Sequence, residues 1–311
     1  MIAEGGWQYN NGGGSFPMSL SRRALLSSSL TLTALPAAWN KPLGVQLYTV
    51  RTLLPKEPRE TLEAIAKMGY TEVEPGRASM DKLAPFLKEF KLATPSVGFD
   101  TPLVTGNWNI YKGAADTMPK GYDWNAAVDQ AKGWGAKFMS ISYIMPAERK
   151  GLDFYKQFAD QMNKAGEPVK KAGMQLCYHH HSFEFGPIEG QRPFDILEER
   201  FDKKLVFWET DIFWMTIAGQ DPAAQIRKWK NRVPLVHLKD IKPGTPTEFN
   251  EGKVAKEAFK EIGNGSINIP DVLKACADSG VKHYIVEQDQ WPGSPLDSLE
   301  QSIKYLRGLK A

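Results

Sequence analysis

The chain has 311 residues, of which 42% are hydrophobic and 24% charged; this globular composition excludes a disordered chain, a collagen-like repeat and a disulfide-stapled mini-protein. Its 39 basic and 36 acidic residues are spread along the sequence for a net charge of +3, so no basic stripe is present to neutralise a phosphate backbone, and nucleic acid is not an expected partner. Cys177 and Cys276 lack any CxxC or metal-finger spacing and are expected to be buried, reduced and structural.

Residues 1–40 differ in kind from the rest. Met1 to Pro17 is Gly/Asn-rich without apolar periodicity and reads as unfolded. Met18, read as the true start, is followed by Ser21-Arg22-Arg23-Ala24-Leu25-Leu26, an uncharged run to Ala34 and Leu35-Pro36-Ala37-Ala38. Paired arginines before a modest apolar run and a small-residue cleavage region resemble a twin-arginine export signal over residues 18–38, which implies a periplasmic or exported protein. The apolar run of about a dozen residues is too short for a permanent membrane span, which needs about 20.

From Leu43 onward short apolar runs alternate with amphipathic helical patterns. Strands are expected at Leu43–Val50, Tyr70–Glu74, Ala93–Phe99, Phe138–Ile144, Gln175–His181, Val206–Asp211, Leu235–Asp240 and Tyr284–Gln288. Helices are expected at Arg59–Met68, Asp81–Phe90, Trp124–Trp134, Phe154–Ala172, Pro222–Lys230, Pro270–Ser279 and Leu296–Leu306, with Gly69, Gly173 and Gly280 as left-handed caps. Eight such units predict an α/β fold: one (β/α)8 TIM barrel over residues 41–311. No GxGxxG follows a strand and no GxxxxGK[ST] occurs, so nothing supports a dinucleotide or P-loop site.

In a barrel the chemistry sits at the carboxyl ends of the strands. Strand five ends in His179-His180-His181-Ser182-Phe183-Glu184, strand six in Glu209-Thr210-Asp211, strand seven in His237-Leu238-Lys239-Asp240 and strand eight in Glu287-Gln288-Asp289. Imidazole and carboxylate together suit a borderline divalent cation such as Mn, Co, Zn, Mg or Fe. Strand alternation places His179 and His181 on one face and His180 on the other, toward the helices. Trp108, Trp214 and Trp291 fall in expected loops, where aromatic planes suit the apolar faces of a sugar. His283, just before strand eight, reads as a surface residue whose replacement by Ala is silent.

With these residues in view, the sequence from Leu43 to about Leu306 resembles the sugar phosphate isomerase/epimerase superfamily of xylose isomerase-like barrels. The motifs carrying the likeness are Gly44-Val45-Gln46-Leu47-Tyr48-Thr49-Val50-Arg51, Tyr178-His179-His180-His181-Ser182-Phe183-Glu184-Phe185, Asp211-Ile212-Phe213-Trp214, Val236-His237-Leu238-Lys239-Asp240 and Val286-Glu287. The resemblance implies one divalent metal held by strands five to eight, with Asp211, His237 and Glu287 in the last three places. Many relatives have Glu roughly where this chain has His179, so the first ligand comes from Glu184 or from a histidine. The assignment taken is Glu184 as ligand, with His181 as proton carrier or extra ligand.

The chemistry implied is proton abstraction beside a carbonyl, with the cation stabilising the enediolate. Glu287 is then the base and Glu184 or His181 its counterpart on the opposite face. Lys239 is expected to hold a substrate oxygen, Gln46, Tyr48 and Arg51 to grip distal hydroxyls, and His179 and Trp214 to contact a small carbohydrate. Superfamily apurinic endonucleases need about nine metal ligands, including a His where this chain has Trp214, and the five histidines here do not supply them. Ketose epimerases use a His at that same place, which favours the branch of inosose dehydratases and keto-sugar lyases as the alternative to an isomerase or epimerase. A non-catalytic sugar-binding barrel is the remaining alternative. Oligomeric state is not legible.

Overall fold

In the computed structural model residues 40–111, 113 and 118–310 are described; the expected extension and export signal lie outside them. The apolar runs form eight barrel strands: β1 (Leu43–Gln46), β2 (Glu72–Glu74), β3 (Ser96–Phe99), β4 (Phe138–Ile141), β5 (Gln175–His179), β6 (Val206–Asp211), β7 (Leu235–Leu238) and β8 (His283–Val286). Each precedes a helix: α1 (Pro58–Lys67), α2 (Arg77–Glu89), α3 (Trp124–Gly133), α4 (Leu152–Lys171), α5 (Pro193–Arg200), α6 (Pro222–Lys228), α7 (Ile269–Ser279) and α8 (Pro295–Gly308). Proline in the first turn of α1, α5, α6, α7 and α8 presets φ where the missing N–H costs nothing.

The strands pair in parallel in the order β2-β1-β8-β7-β6-β5-β4-β3. The two ends of this sheet meet: Val73 N–H donates to the Ala93 carbonyl at 2.8 Å and Gly98 N–H to the Pro75 carbonyl at 2.9 Å. The result is the expected (β/α)8 barrel. Burial follows helical periodicity: α4 turns Tyr155, Phe158, Ala159, Met162, Gly166 and Val169 inward. At Gly166 the contact with the residue preceding β6 is so close that a Cβ would stand 2.9 Å from the Leu205 carbonyl oxygen.

Most strands end earlier than the apolar runs that announce them. β1 stops because the Gln46 side-chain oxygen accepts the Tyr48 N–H at 2.7 Å and turns the chain into a single 3₁₀ turn, Leu47–Val50. β6 runs straight into an unexpected short helix, Ile212–Ile217, capped by Asp211. After β7 the chain makes an excursion over the barrel mouth, starting and ending in a two-residue antiparallel pair, Asp240–Ile241 with Phe259–Lys260. Asp240 organises it: the buried carboxylate accepts N–H groups from Ile241 (2.8 Å), Gly263 (3.0 Å), Gly265 (3.1 Å) and Ile267 (3.0 Å).

Both cysteines are buried and free, as expected. His283 is not a surface residue: its Nδ1 lies 2.9 Å from Glu72 Oε2, and its ring packs on Phe138. Position before a strand does not reveal that β2 places a buried carboxylate, Glu72, across from it.

Candidate metal centre and its cavity

The carboxyl ends of the strands open into a cavity of about 930 Å³, with Gln46, Tyr48, His179, His181, Trp214 and Glu287 among its lining. At its base His179, Asp211, His237 and Glu287, all buried, bring one potential ligand atom each within 4.8 Å of one another. They come from the ends of β5 and β6, from β7 and from the residue after β8. Asp211 divides its labour: Oδ1 accepts the Phe213 and Trp214 N–H groups at 2.9 and 3.0 Å, which leaves Oδ2 facing Lys239 Nζ at 3.0 Å and His179 Nε2 at 3.9 Å. His237 Nδ1 is 2.9 Å from Glu287 Oε2.

Electrostatics single out this place. Glu74, Glu209, Asp211, Glu287 and Asp289 are carboxylates in one chain of contacts with only two cationic groups, Lys239 and the His237 imidazole. Burial opposes charge on His237, yet the carboxylates of Glu74, Glu209 and Glu287 hold its pKa well above the usual value. Burial likewise opposes charge on Lys239, and Asp211, Asp289 and Glu287 outweigh it. Glu287 is held far below the ordinary carboxylate range against burial by Lys239 and His237. Two imidazoles and two carboxylates, buried and with acid in excess of base, fit a divalent cation in donor type and in charge.

A model of the xylose isomerase-like TIM barrel family matches residues 62–309. The chain belongs to that family. Among curated relatives, the inosose dehydratase of Clostridium perfringens (strain 13 / Type A) is 31% identical over 162 residues, 49% of this chain and 54% of the relative. The chain thus spans about half the length of the curated relatives it matches. Among solved structures, a sugar phosphate isomerase/epimerase from Parabacteroides distasonis superposes with a TM-score of 0.70 at 20% identity, covering 87% of this chain and 99% of that one. The IOLI protein with a binding zinc atom does so with a TM-score of 0.60 at 18% identity, covering 85% and 95%. Both show the shared fold.

Within this family barrel the expected residues divide. Asp211, His237 and Glu287 are brought together as expected, but the fourth member is His179. Glu184 is withdrawn from the cavity: its carboxylate accepts the Tyr178 O–H at 2.5 Å and the His181 N–H at 2.9 Å, and burial pushes its pKa up to about 7. The reason is that β5 ends at His179, and Glu184 sits in a separate 3₁₀ turn, Phe183–Phe185. His181 does face the cavity, its Nδ1 buried without a hydrogen-bond partner and its ring against Trp214. Burial, followed by the nearby Lys239 charge, keeps that imidazole neutral. His180 faces the helices, among Phe185, Phe194, Trp208 and Trp229.

Lys239, only 1% exposed, is ion-paired with Asp211, Glu287 and Asp289 and is not among the residues lining the cavity. Gln46 spends its amide on Glu74 and Tyr48, and Arg51 braces the Asp289 carbonyl while stacked between Tyr48 and Trp291. Tyr48 stands at the rim, 52% exposed. Trp108 and Trp291 are absent from the lining, whereas Trp214 is in it. Sequence reasoning missed the opposite wall, where Glu251 from the excursion accepts Tyr143 O–H at 2.6 Å and Arg149 Nη1–H at 2.9 Å. It also missed Glu74 and Glu209; the available signal was that Glu209 lies two residues before Asp211 and so shares its inward face.

Proposed function

We propose that this chain is a metal-dependent lyase of the dehydratase type, acting on a keto-sugar or a polyol-derived ketone such as an inosose. One divalent cation, held by His179, Asp211, His237 and Glu287, would polarise the carbonyl and acidify the adjacent C–H. His181 takes the proton: it lies just past β5 and outside the four-donor set, faces the cavity as a neutral imidazole, and its Nδ1 has no hydrogen-bond partner among the described residues. The electron pair of the broken C–H bond becomes a C=C bond as the β-hydroxyl departs as water with the proton that the His181 imidazolium returns, and the enol product tautomerises to a ketone. Trp214 fixes the His181 ring from one side. The closed wall made by Glu251, Tyr143 and Arg149 keeps the substrate in place.

The observation that carries this choice over an epimerase is the position of Glu184. Inverting a carbon needs a proton taken from one face and returned to the other, hence two opposed bases. Here Glu184 is turned away behind the His181 backbone, and Glu287 is engaged by His237 at 2.9 Å and Lys239 at 2.8 Å as a member of the cation-binding set, which leaves His181 as the free base on the cavity. Elimination needs one base. The inosose dehydratases among the relatives support the same reading. Incubation of the metal-loaded protein with inososes and keto-sugars in D2O tests it: loss of water with formation of an unsaturated or dicarbonyl product is expected. Deuterium incorporation into unchanged or epimeric sugar without water loss would return the isomerase or epimerase reading, and neither reaction would leave a sugar-binding barrel. The twin-arginine reading of residues 18–38 and export to the periplasm belong to the same proposal.

A further inference from the structure

Next to the four-donor cluster lies a second set of titratable groups, two of which, Glu74 and Glu209, the proposed reaction does not use. Glu74, Glu209 and His237 also bring ligand-type atoms within 4.8 Å of one another, and all three are buried. His237 is common to both sets and faces them with different nitrogens. Nδ1 points to Glu287, while Nε2 stands 3.4 Å from Glu74 Oε1 and 3.5 Å from Glu209 Oε1.

Glu209 is two residues before Asp211 on β6, and Glu74 ends β2, so the two carboxylates approach the ring from different sides of the barrel. Neither is free to swing away. Ser140 O–H donates to Glu209 Oε2, and Gln46 Nε2–H donates to Glu74 Oε1 at 3.0 Å. Two buried carboxylates this close would be costly without a positive or hydrogen-bearing partner. The His237 Nε2, itself without a hydrogen-bond partner, is the group both face.

We infer that Glu74 and Glu209 are positioning residues for the metal: facing His237 Nε2 at 3.4 and 3.5 Å, they favour the hydrogen on that nitrogen, and so present the Nδ1 lone pair to the ion. The inference rests on the metal-dependent reading above. A histidine ligand has two tautomers, and only the one with its hydrogen on Nε2 leaves Nδ1 able to bind; a carboxylate on the far nitrogen selects that tautomer and makes the ring a stronger donor. Two carboxylates also resist rotation of the ring about its Cβ–Cγ bond, which a single acceptor does not.

The test uses the full chain, stripped with a chelator and titrated with Co²⁺ against a chromophoric competitor. Wild type, Glu209→Gln, Glu74→Gln and the double variant are compared with Glu72→Gln, a carboxylate on β2 that contacts His283 instead. One equivalent is expected in wild type. Each single cluster variant should weaken Co²⁺ binding by about 10-fold to 100-fold and shift the visible absorption of the saturated protein, with its apo melting temperature not lowered. Glu72→Gln should keep wild-type affinity and spectrum even where it melts earlier. Should Glu209→Gln fail to fold, Glu74→Gln carries the test alone from the other side of the ring. Affinity within threefold of wild type and an unchanged spectrum in both cluster variants would overturn the inference while leaving the metal-dependent reading intact. Two equivalents in wild type, one lost in the double variant, would overturn it in favour of a second ion site. No Co²⁺ uptake by wild type would bring down the parent reading as well.

Discussion

Replacing Glu184 by Gln separates the role this carboxylate was expected to have from the role its surroundings allow. Its side chain is fully buried, and folding raises its midpoint from 4.5 to about 7, chiefly through burial. A carboxyl with a raised folded-state pKa contributes its stability below its unfolded pKa and loses it as pH rises through the folded pKa. The loss here runs between 4.5 and about 7 and reaches about 3 kcal/mol, at about 1.4 kcal/mol per tenfold. A glutamine has no such titration, and its amide can still accept the His181 N–H. The melting temperature of Glu184→Gln relative to wild type should therefore improve by roughly 6–12 °C between pH 4.5 and pH 7.5, at about 2–4 °C per kcal/mol. Thermal melts of chelator-stripped protein across that range measure it. Because the carboxylate is turned away from the cavity, metal affinity should not change. A difference between the two proteins that is flat with pH, or a Glu184→Gln variant that no longer binds metal, would refute the reasoning.

His179→Ala should weaken divalent-metal binding by at least tenfold without unfolding the barrel, read by competition titration; full affinity would remove His179 from the ligand set. His283→Ala should cost about 1–3 kcal/mol, because it leaves the buried Glu72 carboxylate without its partner, and chemical denaturation would expose a silent variant. Gly166→Ala forces a Cβ against Leu205 and should destabilise by about 1–3 kcal/mol through overpacking, measured in the same way. Arg22→Lys with Arg23→Lys should leave the protein in the cytoplasm of a host that exports the wild type, as cell fractionation would reveal; unaltered export would refute a twin-arginine signal.

The barrel was legible because its two periodicities are written in the chain: apolar runs for strands, three-and-four spacing for helices, with glycine and proline at the joints. What was not legible is where a strand stops. An apolar run reports burial, whereas the strand ends where pairing ends, and at Gln46 a local side-chain bond decides that. The place of Glu184, away from the four-donor cluster, was not legible for the same reason. Alternation along β5 places His179, His180 and His181 as expected, but it says nothing once the chain leaves the strand for the turn at Phe183–Phe185. Lys239 shows a different limit. Its neighbours Asp211, Glu287 and Asp289 come from other strands, so nothing in its own segment distinguishes a cation offered to substrate from one locked among carboxylates. Glu74 was hidden likewise, since its partners Glu209 and His237 meet it only across the barrel interior.

The clasp made by Asp240 reaches beyond stability. Its four bonds all go to backbone N–H groups, two of them on glycines, and none to a side chain. The excursion it anchors supplies Glu251, Val254, Lys256 and Phe259 to the cavity. Those side chains can therefore be exchanged as a cassette without renegotiating the anchor or the ligand set, which come from other parts of the chain. The part of the cavity wall carried by the excursion and the four-donor cluster beneath it are in this sense separately heritable: one can drift while the other is conserved.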